Sequence, residues 1–155
     1  MSAPAVPAPV TVEQVREEVA DVADYAAAAG LGLEHAMLTE TNPIFYLTFF
    51  NREGLEFFAE FDCHEYPLHP PTIEFVDAAR SRRGTHNLYP SCFHGMPCIC
   101  ARYNRKAYGA HGGPHSDWRL IDWQLPTQGG PKIETLAMIV SDMHSKIAAS
   151  TGRMG

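Results

Sequence analysis

Two strongly alternating segments in the first half of the chain constrain the fold more than any other feature. Residues 44–50 are β-branched and aromatic, and in residues 55–62 apolar side chains alternate with mostly acidic ones. A period of two residues is typical of a strand with one buried face. Residues 51–54 (NREG) between them have the composition of a turn. We therefore predict a hairpin within an antiparallel sheet, and a further strand at residues 72–76 beyond a proline-rich turn.

Helical periodicity flanks these strands on both sides. Apolar residues recur at three- and four-residue steps across residues 12–26, and Gly30 is a natural helix stop. A capping box that starts at Thr11 predicts the beginning of this helix. A second apolar stripe covers residues 133–147 and follows Pro131, which suits a first helical turn. The predicted order of helix, antiparallel strands, irregular segment and helix is an α+β fold.

Length and composition indicate one globular domain. The chain has 155 residues, of which 45% are hydrophobic and 19% are charged. This balance excludes wholesale disorder, collagen and coiled coil. We assign residues 1–10 to a flexible leader rich in proline and alanine, residues 11–149 to the domain, and residues 150–155 to a frayed tail.

The charge balance argues against nucleic acid as a partner. The chain has 12 Lys and Arg against 18 Asp and Glu, a formal net charge of -6, which is poorly suited to neutralising phosphates. No segment approaches the roughly 18 consecutive apolar residues that a membrane-spanning helix requires. The first residues also have neither the basic start nor the apolar stretch of a secretory signal. We therefore expect a cytoplasmic protein without a membrane partner.

Chemically reactive side chains are concentrated in residues 86–100 (HNLYPSCFHGMPCIC), where three of the four cysteines lie within nine residues. In a reducing compartment such cysteines are usually free, catalytic or metal-bound. A thiolate is a strong nucleophile, and the carboxamide of Asn87 can donate to an oxyanion, so the groups needed for acyl or thioester transfer are present. If the end of this segment is extended, Cys98 and Cys100 point to the same side and either thiol can line one cleft.

Two other uses of this cluster stay open. The three cysteines and His94 offer four soft ligands, so a non-catalytic binding module with structural or zinc-bound cysteines is one alternative, with spacings shorter than those of most zinc sites. A cysteine hydrolase is the other, and it would need a histidine such as His94 beside the thiol. The cysteines have no papain-like or caspase-like signature around them. Cys63, which follows a predicted strand, is expected to be a small core residue.

Four short motifs have a family precedent. Residues 66–71 read YPLHPP and lead into a predicted strand, residues 86–88 read HNL, residues 95–99 read GMPCI and residues 123–126 read WQLP. The first is similar to the Y-P-x-x-P-P signature of the ubiquitin-conjugating enzyme family, whose members carry a ubiquitin-like protein as a thioester. The second resembles a shortened form of its His-Pro-Asn element, and the third resembles its Gly-x-x-Cys-aliphatic active-site motif. The fourth is similar to its tryptophan-and-proline segment before a helix.

The resemblance spans residues 11–147 and implies a ubiquitin-conjugating-enzyme-like (UBC-like) fold, in which a meander sheet is flanked by an N-terminal and a C-terminal helix. It implies a transferase that accepts a ubiquitin-like modifier protein from a ubiquitin-activating-enzyme-like protein and transfers it to an amine. A ligase or target protein would be a further partner, and no metal or organic cofactor is needed. Cys98 would form the thioester. Cys100 is the rival, because it follows an aliphatic residue as the family's nucleophile usually does.

The resemblance also implies roles for nearby polar residues. Asn87 would shape the loop or stabilise the oxyanion, and His94 could take over part of that role. Asp117 or Asp122 would orient or deprotonate the incoming amine. The chain departs from the family pattern in lacking the proline of His-Pro-Asn and in residues 101–122, which look like an insertion. These departures resemble prokaryotic relatives, so we expect a bacterial protein of a ubiquitin-like conjugation or antiviral-defence pathway.

Overall fold

The structure is a computed structural model that describes residues 6–39, 41–93, 96–125 and 132–154. A long helix is followed by four strands, a stretch with short 3₁₀ turns and a second helix. These elements are α1 (Ala8–Ala29), β1 (Gly32–Glu34), β2 (Ile44–Phe50), β3 (Glu56–Asp62), β4 (Thr72–Val76) and α2 (Leu136–Ala148). The predicted α+β arrangement is confirmed. In the part of the chain that the structure describes, neither helix is long and apolar enough to cross a membrane.

The four strands form one antiparallel sheet in the order β1-β2-β3-β4, which is the predicted meander. The alternation in the sequence places one set of apolar side chains on a single face, and the helices pack over that face to form the core. Its fully buried members on β2 to β4 are Phe45, Leu47, Phe49, Phe57, Ala59, Phe61, Ile73 and Phe75. Burying a large apolar side chain contributes about 1.5–3 kcal/mol, so this face anchors the sheet to the helices.

The opposite face of the sheet carries a charge network, which we call the outer network. The guanidinium of Arg83 donates to both carboxylate oxygens of Glu60 at 2.7 and 3.1 Å, and to Glu74 at 3.3 Å. Lys106 pairs with the same Glu74. The hydroxyl of Tyr46 donates to Glu60 at 2.7 Å. Both carboxylates are buried and therefore need these donors.

Helix α1 has the predicted apolar stripe, whose members are all buried: Val12, Val15, Val19, Val22 and Ala26. Gly30 ends the helix in the left-handed conformation, with φ at 75°. The predicted start at Thr11 is wrong, because the helix begins at Ala8 after Pro7 and includes part of the predicted leader. The Thr11 hydroxyl donates instead to the carbonyl of Tyr66 at 3.1 Å, a tertiary contact that the local capping pattern does not reveal.

Helix α2 begins at Leu136, later than the position of Pro131 predicts; Pro131 itself lies outside the described residues. Thr135 is the N-cap, and its hydroxyl accepts a hydrogen bond from the Met138 amide at 3.2 Å. The carboxylate of Glu18 on α1 accepts from the Leu136 amide at 2.8 Å. The start of α2 is therefore determined by its own cap together with a side chain of the first helix.

The predicted frayed tail is not observed for residues 150–154. Ser150 and Met154 are both buried. The Met154 amide donates to the carbonyl of Tyr89 at 2.9 Å, and Arg153 forms an isolated antiparallel bridge with Pro90. The end of the chain thus packs against the loop that follows the sheet, because Met154 provides an apolar side chain that joins the core.

Candidate functional site

A cleft of about 330 Å³ lies between the second half of α2 and residues 96–123, which we call the cleft segment. The cleft segment contributes a thiol, a guanidinium and aromatic rings to the walls, and α2 contributes an acid and a lysine. The polar and aromatic lining residues are Cys100, Arg102, Tyr103, Trp118, Trp123, Asp142 and Lys146. A nucleophile, aromatic surface and charged groups converge here, as expected of a ligand or active site.

Asn104 fixes the backbone beside the Cys100 thiol. Its amide group donates to the carbonyl of Ile99 at 3.0 Å. Its carbonyl oxygen accepts from the Ile73 amide at 2.9 Å and the Lys106 amide at 3.2 Å. Asn104 is completely buried, so each of these bonds replaces lost hydration. Sequence reasoning missed this residue, since a single asparagine among charged residues gives no spacing signal.

The proline-rich motif at residues 66–71 supplies carbonyl groups that hold the cleft segment. Arg105 donates through Nε to the carbonyl of Pro70 at 3.0 Å and through its amide to that of Pro71 at 2.9 Å. The indole of Trp123 donates to the carbonyl of Pro67 at 3.1 Å. Proline lacks an N–H group but keeps its carbonyl acceptor. The motif and the apparent insertion are therefore parts of one structural unit.

The two candidate cysteines have different surroundings. Cys98 is only 4% exposed, and burial, followed by its interaction with the Cys100 thiol, raises its pKa to about 12. Cys100 is exposed and lines the cleft. Tight turns, with the Cys98 amide donating to the Met96 carbonyl at 2.7 Å and the Ala101 amide to that of Ile99 at 2.9 Å, interrupt the extended conformation. Of the two thiols, only that of Cys100 lines this cleft.

The other residues implied by the resemblance lie elsewhere. Asn87 is exposed in a 3₁₀ turn, where its carbonyl oxygen accepts from the Thr85 hydroxyl at 2.9 Å, and it is not among the residues that line the cleft. Asp117 is exposed. Asp122 lies 3.7 Å from the guanidinium of Arg119. Neither acid lines the cleft. His94, predicted as a ligand, base or oxyanion donor, lies outside the described residues.

Asp142 is the carboxylate that does line the cleft. Its Oδ2 atom accepts hydrogen bonds from the Tyr103 hydroxyl at 2.7 Å and from the Lys146 ammonium at 2.8 Å. Tyr103 is buried, and burial together with Asp142 holds its pKa well above the usual range, so it remains a donor. The spacing of Asp142 and Lys146 marks a helix surface pair in the sequence. That they line the same cleft as Cys100 has no sequence signal.

Trp118 forms an aromatic wall of the cleft. The imidazole of His115 stacks on it with ring centroids 3.6 Å apart and the planes within 4° of parallel. The guanidinium of Arg102 lies 5.1 Å from the ring centre, and Tyr108 contacts it edge-on. These contacts favour one orientation of the tryptophan side chain, in which it forms a wall of the cleft.

The metal alternative finds no support within residues 6–39, 41–93, 96–125 and 132–154. In these residues no group of three or more His, Cys, Asp or Glu side chains is placed to hold a metal ion. Three proposed ligands differ in burial, because Cys92 is half-buried, Cys98 is buried and Cys100 is exposed. The fourth cysteine, Cys63, is completely buried in the core, as predicted.

Comparisons of the chain with known proteins identify no relative. No protein-family model, curated protein or solved structure matches it.

Proposed function

We propose that this protein is a UBC-like transferase that carries the C-terminus of a ubiquitin-like protein as a thioester on Cys100 and passes it to an amine. The observation that carries the proposal is the exposed Cys100 thiol at the edge of a preformed cleft. A ubiquitin-activating-enzyme-like protein would load the modifier, and a ligase or target protein would supply the acceptor amine. A bacterial conjugation or antiviral-defence pathway is the proposed setting.

Exposure favours Cys100 as the nucleophile, although the motif alone favours Cys98. The nucleophile of a thioester transfer is a thiolate, and it must reach the carbonyl of another protein. The pKa of about 12 keeps Cys98 protonated at neutral pH, and its burial denies access to a large partner. Cys100 follows the aliphatic Ile99, so it also satisfies that part of the family pattern.

The chemistry requires mainly positioning. In the loading step the Cys100 thiolate attacks the carbonyl of the incoming thioester, a new C–S bond forms, and the donor thiolate leaves. One thioester replaces another, so the protein's task is to hold the reacting groups in line. The volume of the cleft is at the lower end of that found for ligand pockets, a size suited to the last residues of an extended chain. Trp118 provides a rigid surface for them.

Asp142 takes the role that the resemblance gives to Asp117 or Asp122. Its carboxylate already binds one ammonium group in the cleft, that of Lys146, at 2.8 Å. An acceptor amine in the same place would be oriented toward the thioester, and its positive charge would be stabilised until a proton leaves. The buried hydroxyl of Tyr103 fixes the carboxylate at 2.7 Å.

A peptide thioester that ends in glycine tests the nucleophile without the natural partners. Intact-protein mass spectrometry should detect an adduct that an added thiol cleaves on the native protein, an equal adduct on Cys98→Ala and none on Cys100→Ala. The matched alanine variants control for the loss of one thiol. Loss of the adduct in Cys98→Ala alone would return the role to Cys98, and no adduct on the native protein would contradict the proposal.

A further inference from the structure

The distribution of lysines in this chain is unusual. There are three lysines and nine arginines. Lys106 belongs to the outer network, where it pairs with Glu74. Lys132 precedes α2 and pairs with Glu134 at 3.2 Å. Lys146 lines the cleft together with the Cys100 thiol. One lysine of three therefore shares a cavity with the proposed nucleophile.

We propose that Lys146 is an acceptor within the same molecule: an acyl group carried on Cys100 is transferred to its Nζ atom, so the protein modifies itself at this position. This inference rests on the proposed function, because it needs an acyl thioester on Cys100.

The surroundings of Lys146 permit this transfer. Its side chain is 49% exposed and its four-carbon stem is flexible, so Nζ can move within the cleft. Its ion pair with Asp142, four residues earlier on α2, is the contact that holds it. Exposed ion pairs of this kind on a helix surface are weak, so the ammonium can leave the carboxylate easily. Asp142 thus keeps the amine beside the cleft without trapping it.

The transfer is a balanced aminolysis. The Lys146 ammonium first loses one proton to water. The neutral nitrogen then attacks the thioester carbonyl, a C–N bond forms, and the C–S bond to Cys100 breaks. Of the two remaining N–H protons, one stays in the amide and the other goes to the departing thiolate. No oxidant, metal or nucleotide is consumed in this step.

Modification of Lys146 would change the cleft in two ways. The amide removes the positive charge that now pairs with Asp142. The attached chain also remains in the space in front of Cys100, because both residues line the same 330 Å³. A modified molecule should therefore accept a second acyl group on Cys100 more slowly than an unmodified one.

The experiment uses the full chain and the peptide thioester that ends in glycine. Aliquots taken over time are treated with hydroxylamine, which cleaves thioesters and spares amides, and peptide mass spectrometry then locates the remaining acyl group. We expect the thioester on Cys100 to decay while an amide accumulates on Lys146, at least about tenfold above the amide on Lys132, since proximity raises the effective concentration. The rate should not change when the protein is diluted.

Matched variants separate the possible outcomes. Lys146→Arg keeps a cation for Asp142 and should prolong the life of the thioester, whereas Lys132→Arg should leave the transfer unchanged. A stable thioester with no amide on Lys146, or equal amides on both lysines, would overturn this inference alone. Amide formation on Lys146 in Cys100→Ala would also overturn it, because the probe would then react directly. The absence of both a thioester and an amide on the native protein would overturn the proposed function and this inference with it.

Discussion

Strands β2 to β4 and the cleft segment are held in place by different interactions. The strands pair along a continuous antiparallel ladder, and their inner side chains are apolar and buried. The cleft segment has short 3₁₀ turns in place of a ladder. Side chains of Asn104, Arg105 and Trp123 hold it by donating to backbone carbonyls. The stability of the sheet is thus spread over many similar contacts, whereas the geometry around Cys100 depends on a few individual side chains.

This difference separates stability from activity. A substitution in the sheet should lower the free energy of unfolding and leave the reactivity of the folded protein unchanged. A substitution among the side chains that hold the cleft segment should lower both.

The largest loss of stability should come from Phe75→Ala. Phe75 is completely buried on the inner face and contacts Tyr89 and Phe57 edge-on, with ring centroids 5.0 and 6.2 Å apart. We expect the free energy of unfolding, measured by urea denaturation, to fall by about 3–5 kcal/mol because a cavity forms. The fraction that remains folded should form the Cys100 adduct at the native rate. A loss below about 1 kcal/mol would show that the core rearranges to fill the space.

Asn104→Ala should lower both the free energy of unfolding and the rate of adduct formation. The change leaves the Ile99 carbonyl and the Ile73 and Lys106 amides without their partner, and we expect a loss of about 2–3 kcal/mol. Since the backbone beside Cys100 is released, the rate of adduct formation with the peptide thioester should fall at least about tenfold under conditions in which the variant is folded.

Asn51→Ala is the matched control. Asn51 is also buried, and its carbonyl oxygen accepts from the Glu53 and Leu55 amides at 3.0 Å each, but it lies in the turn between β2 and β3. Asn51→Ala should lower the free energy of unfolding by a similar amount to Asn104→Ala and leave the rate of adduct formation at the native value. Equal adduct rates for the Asn51 and Asn104 variants would contradict the distinction between the two regions.

The outer network predicts that the free energy of unfolding depends on pH. Burial alone raises the pKa of Glu60, but hydrogen bonds from Arg83 and Tyr46 outweigh this and lower the pKa below the ordinary value of 4.5. A carboxylate with a lowered pKa contributes stability that is present above its unfolded value and is lost as the pH falls through its folded value. Glu60→Gln should therefore lower the free energy of unfolding by about 1–2 kcal/mol at neutral pH.

The effect of Glu60→Gln should shrink below pH 4.5, the ordinary value for this group. Urea denaturation of both proteins between about pH 7 and about pH 2 measures the change. A constant difference across this range would show that the charge of Glu60 does not stabilise the sheet. Adduct formation at neutral pH should be unaffected, because Glu60 lies on the face of the sheet opposite the core and does not line the cleft.

Trp123→Phe should have the smallest effect on stability. The phenyl ring keeps most of the packing but loses the indole hydrogen bond to the Pro67 carbonyl, at a cost of about 0.5–1.5 kcal/mol. Trp123 also lines the cleft, so the rate of adduct formation should fall even under conditions in which the variant is fully folded. Stopped-flow measurement of the adduct rate at saturating probe would detect this, and an unchanged rate would limit Trp123 to packing.

Much of the fold could be predicted because its signals are short-range and repeated. The alternation over residues 44–62 determines which side chains share a face of the sheet, and the three- and four-residue steps of α1 determine its buried stripe. Many residues contribute to each signal, so the prediction of the element still holds when one residue departs from the pattern. Tertiary contacts changed two local predictions: Thr11 bonds to Tyr66 instead of capping a helix, and Met154 packs in a tail expected to fray.

The candidate site also has features that the sequence determines and features that depend on the tertiary structure. The sequence by itself determined the cysteine cluster and the motifs around it, since those are strings of neighbouring residues. Only the tertiary structure decided that Cys98 is buried and Cys100 exposed, because burial depends on the packing of segments that are distant in the chain. It also decided that Asp142 and Lys146 of α2 share a cleft with Cys100, for no local pattern encodes which helix face meets which loop.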